Sequence, residues 1–144
     1  MANSGSGANS NVLKGIDFLI GDKDKRNCPK GVLSNFSLGS DKDQAVNDAV
    51  AKLAKAGVFV GVASGNKNID ASKRSPASEP SVCTIGGTAI DDTRYVHSDF
   101  GPLVDIHAPG VKIKSLAPGG GTVSATSSVH RPVKRPVTNF NSDL

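Results

Sequence analysis

Apolar positions along this 144-residue chain repeat with two different periods. Val12, Leu13, Ile16, Leu19 and Ile20 recur at three- and four-residue spacing, which predicts one face of a helix with Ser10 or Asn11 as its cap. The charged stretch after Ile20 contains Gly21, Pro29 and Gly31 and reads as a loop. Val32–Leu38 predicts a short strand ending at Gly39. From Asp41 to Lys55, residues Ala45, Val46, Ala49, Val50, Leu53 and Ala54 share one stripe, and Lys42, Asp43, Asn47, Asp48 and Lys52 share the other. That is an amphipathic helix, closed by Ala56-Gly57. Val58–Ala63 follows as a near-continuous apolar run, the pattern of a strand buried on both faces.

Strand, helix and strand in this order form a βαβ unit, so the two strands are parallel with a right-handed crossover. Ser81–Gly87, Leu103–His107 and Val111–Leu116 are further strand candidates. The fold class is therefore α/β, a mostly parallel sheet flanked by helices. Functional groups of such sheets gather at the carboxyl ends of the strands. Those positions are Ser37-Leu38-Gly39, Ala63-Ser64-Gly65-Asn66 and the loop after Ile106. The small polar residues 1–9 read as a flexible N-terminus, 10–128 as the domain, and 129–144, with Pro132, Pro136 and three basic residues, as a tail.

Composition narrows the choice of function. Hydrophobic residues at 37% and charged residues at 21% suit a globular domain, and aromatics at 4% leave the core to Val, Ile, Leu and Ala. The net charge of +4 is scattered, with no basic stripe and no row of aromatics, so no nucleic-acid partner is expected. No apolar run is long enough to span a bilayer, and the first twenty residues lack the pattern of a secretory signal. Two cysteines, Cys28 and Cys83, cannot complete a zinc site alone. Gly119-Gly120-Gly121 has no following lysine or helix, so it reads as a flexible connection and not as a phosphate loop.

Several segments together resemble the subtilisin-like serine proteases, above all their proteinase K-like fungal branch. They are Asn27-Cys28-Pro29-Lys30-Gly31, Ser37-Leu38-Gly39, GVFVGVASGN (57–66), SPASEPSVCTIG (75–86), Ser98-Asp99-Phe100-Gly101, Val104-Asp105-Ile106 and Ala108-Pro109-Gly110. The resemblance runs from about Ser4 to Ser127. It implies a subtilisin-like fold, incomplete here, and a serine endopeptidase that hydrolyses peptide bonds through an acyl-enzyme.

On its residues alone Asn66 reads first as a turn residue tolerant of a left-handed backbone after Gly65. The resemblance implies that its amide belongs to the oxyanion hole. Likewise Ser37, Leu38 and Gly39 with Ala63, Ser64 and Gly65 would line the substrate cleft, although tight packing of two loops accounts for the same residues. Pro80, Val82 and Asp105 resemble a calcium site, two carbonyls and one carboxylate being suitable hard ligands. A salt bridge or backbone hydrogen bond would explain Asp105 as well. The resemblance places Cys28 and Cys83 in two different disulfides, so no bridge between them is expected. Asn35-Phe36-Ser37 fits the glycosylation pattern but falls in a strand expected to be buried.

The catalytic set is only partly present. Neither an Asp-Thr/Ser-Gly nor a His-Gly-Thr-His motif occurs, and His97, His107 and His130 stand in other contexts. Ser127 in Ala125-Thr126-Ser127-Ser128 matches the nucleophile motif in part, and Ser128 is the next candidate. The expectation is a fragment of an extracellular, monomeric subtilisin-like endopeptidase acting on protein or peptide substrates, inactive alone. The alternative is a non-catalytic remnant that binds a peptide or an inhibitor.

Overall fold

The computed structural model describes residues 6–116 and 120–125. Its centre is a four-stranded, all-parallel sheet of order β1-β3-β5-β6, built from β1 (Val32–Phe36), β3 (Val58–Ala63), β5 (Cys83–Thr88) and β6 (Ile106–Pro109). β2 (Ser40–Asp41) and β4 (Arg74–Ser75) form a two-residue antiparallel pair beside it. β7 (Ile113–Leu116) and β8 (Thr122–Ala125) form a separate antiparallel pair. The last strand predicted for the sheet thus belongs to a hairpin. Gly120 and Gly121, at positive φ, lie on the connection that the sequence left as merely flexible.

Helix α1 (Asn9–Asp22) carries the predicted face, with Ile16 buried and Val12, Leu19 and Ile20 packed against the core. It differs from expectation at both ends. No side chain caps it, and the Asn11 N–H bonds the Ala8 carbonyl. Gly21 does not break it, and a 3-10 turn over Lys23–Lys25 continues the chain, with Arg26 Nε bonded to Asp22 at 2.8 Å. Helix α2 (Gln44–Lys55) starts later than the stripe suggested, because the Asp43 carboxylate caps it by accepting from the Ala45 N–H at 3.0 Å. The preceding Ser40–Asp41 is drawn off to pair with β4. Gly57, at φ +84°, ends the helix and turns the chain directly into β3.

Both helices cover one face of the sheet, where Ile16, Val50 and Leu53 meet Val58, Val60, Val62 and Val82. The other face shows Leu33 at 63%, Ile106 at 43% and Phe59 at 36% exposure. Strand β1 is therefore half exposed and not buried as expected, and Asn35 lies on its open side with its amide bonded to Ser37 Oγ. Asn47, assigned to the solvated stripe of α2, is buried and donates to Ser78 Oγ at 2.9 Å. Strand β6 begins three residues later than predicted, since Val104 N–H closes a turn onto the Gly101 carbonyl.

Candidate active site

Parallel pairing of Phe36 with Val62 sends the loops after β1 and β3 out of the same end of the sheet. The first loop, Ser37-Leu38-Gly39, walls an open cleft of about 270 Å³. Asn9 and Val12 of α1, Val46 of α2 and Ser75 of β4 line it as well. The residues at 6–9 read as a flexible terminus therefore include part of the cleft wall. Asn9 is held there by its amide, which donates to Asp43 Oδ2 at 2.7 Å. That hydrogen bond is the main reason the Asp43 carboxyl sits below its ordinary pKa, and its bond from the Ala45 N–H acts in the same direction. Ser75, buried, accepts from the Asp43 N–H at 2.9 Å and donates to the Asp43 carbonyl at 3.1 Å. The helix cap and the cleft wall are thus one piece.

The second loop is built from the inside. Ser64 is fully buried, with its N–H on the Ile85 carbonyl at 2.9 Å and its Oγ 3.4 Å from Ser98 Oγ. Its hydroxyl therefore faces the protein and not a substrate. Gly65 takes φ +121° because the Asp99 carboxylate stands where a Cβ would be, 2.0 Å from that position. Asp99 is itself buried: its N–H donates to the Gly65 carbonyl at 3.0 Å, and its Oδ1 accepts from Lys67 N–H at 2.8 Å and Ile69 N–H at 3.1 Å. Its Oδ2 lies 3.7 Å from Nε of the buried Arg74, whose Nη1 bonds Asp41 at 2.6 Å. Between these bonds, Asn66 projects as an exposed residue just beyond β3.

The structure thus brings Ser37, Leu38 and Gly39 onto one cleft, while Ala63, Ser64 and Gly65 stand apart from its lining. Ser127 lies outside the described residues, as do Ser128 and His130. Among the described residues, His97 packs edge-on to Tyr95 at 5.3 Å, and His107 lies exposed on β6. Asp105 precedes β6 on the surface, and its Oδ2 accepts from the Thr84 N–H at 2.7 Å. Pro80 is exposed nearby in the chain and Val82 is buried. The Cys83 thiol is pushed up by burial first and by the Asp105 charge second, which puts that carboxylate close to the 82–84 segment. Cys83 and the exposed Cys28 are both free thiols.

Asn9, Ser75, Arg74 and the loop-binding role of Asp99 escaped the sequence reading. Each acts through a contact more than thirty residues away in the chain, which periodicity does not record.

Comparison with known proteins supplies the wider context. A family model described as the subtilase family matches residues 1–142. The alkaline serine protease ver112 of Corniculantispora psalliotae is 49% identical over 126 residues, which make up 86% of this chain and 33% of that protein. Proteinase T of Parengyodontium album is also 49% identical over 126 residues, covering 43% of its own length. A crystal structure of a cold adapted subtilisin-like serine proteinase superposes with TM-score 0.79 at 37% identity, over 87% of this chain and 44% of that one. The chain spans less than half the length of each of these three proteins.

Proposed function

The chain belongs to the subtilase family, and from that membership we propose that it forms the substrate cleft and oxyanion-hole portion of a serine endopeptidase. The observation that carries the reading is the exposed residue Asn66 beyond β3, on the same sheet end as the open Ser37–Gly39 loop. Peptide-bond hydrolysis by a serine passes through a tetrahedral intermediate whose carbonyl oxygen becomes negative. A fixed side-chain amide at that oxygen stabilises it as the charge develops. The small residues Ser37 and Gly39 leave room for an extended peptide, and the cleft beside Leu38 receives one of its side chains.

Ser127 is the proposed nucleophile. The sequence holds no Asp-Thr/Ser-Gly or His-Gly-Thr-His motif to supply a base and its orienting group, so this chain by itself binds peptide without turning it over. The whole reading implies a monomer acting outside the cell on protein substrates. Calcium fits as a structural ion: the carbonyls of Pro80 and Val82 and the surface carboxylate of Asp105 make an all-oxygen donor set suited to it. When bound, it would tie the 80–82 turn to the start of β6.

The test is a titration of isotopically labelled chain with a tetrapeptide phosphonate monoester, followed by NMR. Resonances of Ser37–Gly39 and Asn66 should move, and Asn66→Ala should weaken binding by about tenfold, the worth of one hydrogen bond to an anion. Casein should stay intact and a fluorophosphonate should not label the chain. Shifts confined elsewhere, or an Asn66→Ala affinity equal to wild type, would sink the assignment. Strong labelling would show instead that the chain is catalytic alone.

A further inference from the structure

An amide that answers a transient negative charge must be held in place before the charge appears. For Asn66 this begins with the backbone on either side. It is an exposed residue after a glycine at φ +121°, beyond the last strand position. That backbone is bonded to a residue 33 positions later. Resting on the reading of Asn66 given above, we propose that Asp99 is the positioning residue of the oxyanion amide, a buried residue whose N–H holds the backbone before Asn66 and whose carboxylate holds the backbone after it.

Three hydrogen bonds of Asp99 land on this loop, and its carbonyl accepts from Ser98 Oγ at 3.2 Å. Its N–H takes the carbonyl of residue 65, and its Oδ1 takes the N–H of residues 67 and 69. The peptide unit before Asn66 is therefore pinned to the Asp99 backbone, and the one after it to the Asp99 side chain. The pairing with Gly65 is reciprocal, since any Cβ there would sit 2.0 Å from Asp99 Oδ2. A buried carboxylate needs compensating charge, and Arg74 provides it at 3.7 Å, itself buried and held by Asp41. The far end of the loop has its own fastening, with Phe100 N–H on the Ile69 carbonyl and Ala71 N–H on the Phe100 carbonyl. Loss of the Asp99 side chain should therefore loosen the backbone after Asn66 and leave both the Gly65 bond and the sheet standing.

Two duties of the carboxylate separate by substitution. Asp99→Asn keeps an oxygen for the two amides, whereas Asp99→Ala keeps none. In the labelled chain, without ligand, Asp99→Ala should lower the heteronuclear NOE of the Asn66 side-chain amide. Amide exchange at Lys67 and Ile69 should accelerate by about tenfold or more, while Val60 and Val62 on β3 stay protected. Asp99→Asn should restore both readouts towards wild type. An unchanged Asn66 signal in Asp99→Ala, or an Asp99→Asn chain as loose as Asp99→Ala, overturns the proposal. If Asp99→Ala does not fold, Asp99→Ser, too short to reach both amides, takes its place under the same criteria. Because these readouts need no phosphonate, they distinguish a wrong role for Asp99 from a wrong role for Asn66, which the titration tests alone.

Discussion

The loops after β1 and β3 leave one end of the sheet as neighbours, yet they are held in opposite ways. Ser37–Gly39 is a wall of an open cleft, and what fixes that cleft lies around it: the α1 start through Asn9, the α2 cap through Asp43, and Ser75 beneath. The loop at 64–69 is gripped from within by a buried charged side chain. On the proposed function, the contrast follows from what each loop would present. A segment that offers its backbone to an extended peptide must keep that edge unencumbered. A segment that offers one side chain in one place must have its own peptide groups immobilised.

The sharpest way to break this contrast is Gly65→Ala. The added methyl would overlap the Asp99 carboxylate, and a left-handed backbone would carry a side chain. The expected loss is at least about 2 kcal/mol in denaturant unfolding, more than any single change in the β1 loop. A loss under about 0.5 kcal/mol would mean that the inner grip is loose. Next comes Ser75→Ala, which removes the hydroxyl partner of the part-buried Asp43 N–H while the Asp43 carbonyl keeps its bond from the Asn47 N–H, and should cost about 1 kcal/mol by the same measurement. An effect as large as that of Gly65→Ala would make the two loops alike.

The sequence made the frame of this comparison readable and left its fastenings hidden. The stripe of Val46, Val50 and Leu53 and the apolar run Val58–Ala63 place β1, α2 and β3 because helix and strand periods are local properties. The strand ends follow from the parallel sheet, and with them the neighbourhood of Leu38 and Asn66. Asn66 as a functional amide came from resemblance, since its residues alone suit an ordinary turn. Asp99 was legible only as one letter of a motif. Its grip on Gly65, Lys67 and Ile69 is a tertiary contact between two loops. The same holds for Asn47 and Asn9, polar residues on helices whose partners arrive from elsewhere in the chain.

Leu38→Ala tests the outer loop directly. Leu38 is half-buried on the cleft wall, so its truncation should cost under about 1 kcal/mol of stability. It should instead enlarge the cleft and shift preference among phosphonate tetrapeptides towards the one with the bulkier side chain, by a few-fold, at most about tenfold. A large loss of stability with no shift in preference would make Leu38 a core residue.

The smallest effect is expected from acid acting on the Asp43 cap beside the outer loop. The Asp43 carboxyl lies below its ordinary value, chiefly through the hydrogen bond from Asn9 and further through the Ala45 and Val46 amides. A group whose folded pKa is depressed adds stability that is full above its unfolded pKa. That contribution fades as pH falls through the lower folded value, so the window opens below about pH 4. Protonation should free the Asn9 amide and speed exchange of the Ala45 N–H in parallel, with a modest rise because both groups are near solvent. Asp43→Asn should make both readouts flat across the same range. If the Asn9 amide and the Ala45 N–H keep their neutral-pH behaviour well below about pH 4, the Asp43 carboxylate is not what fastens the outer loop.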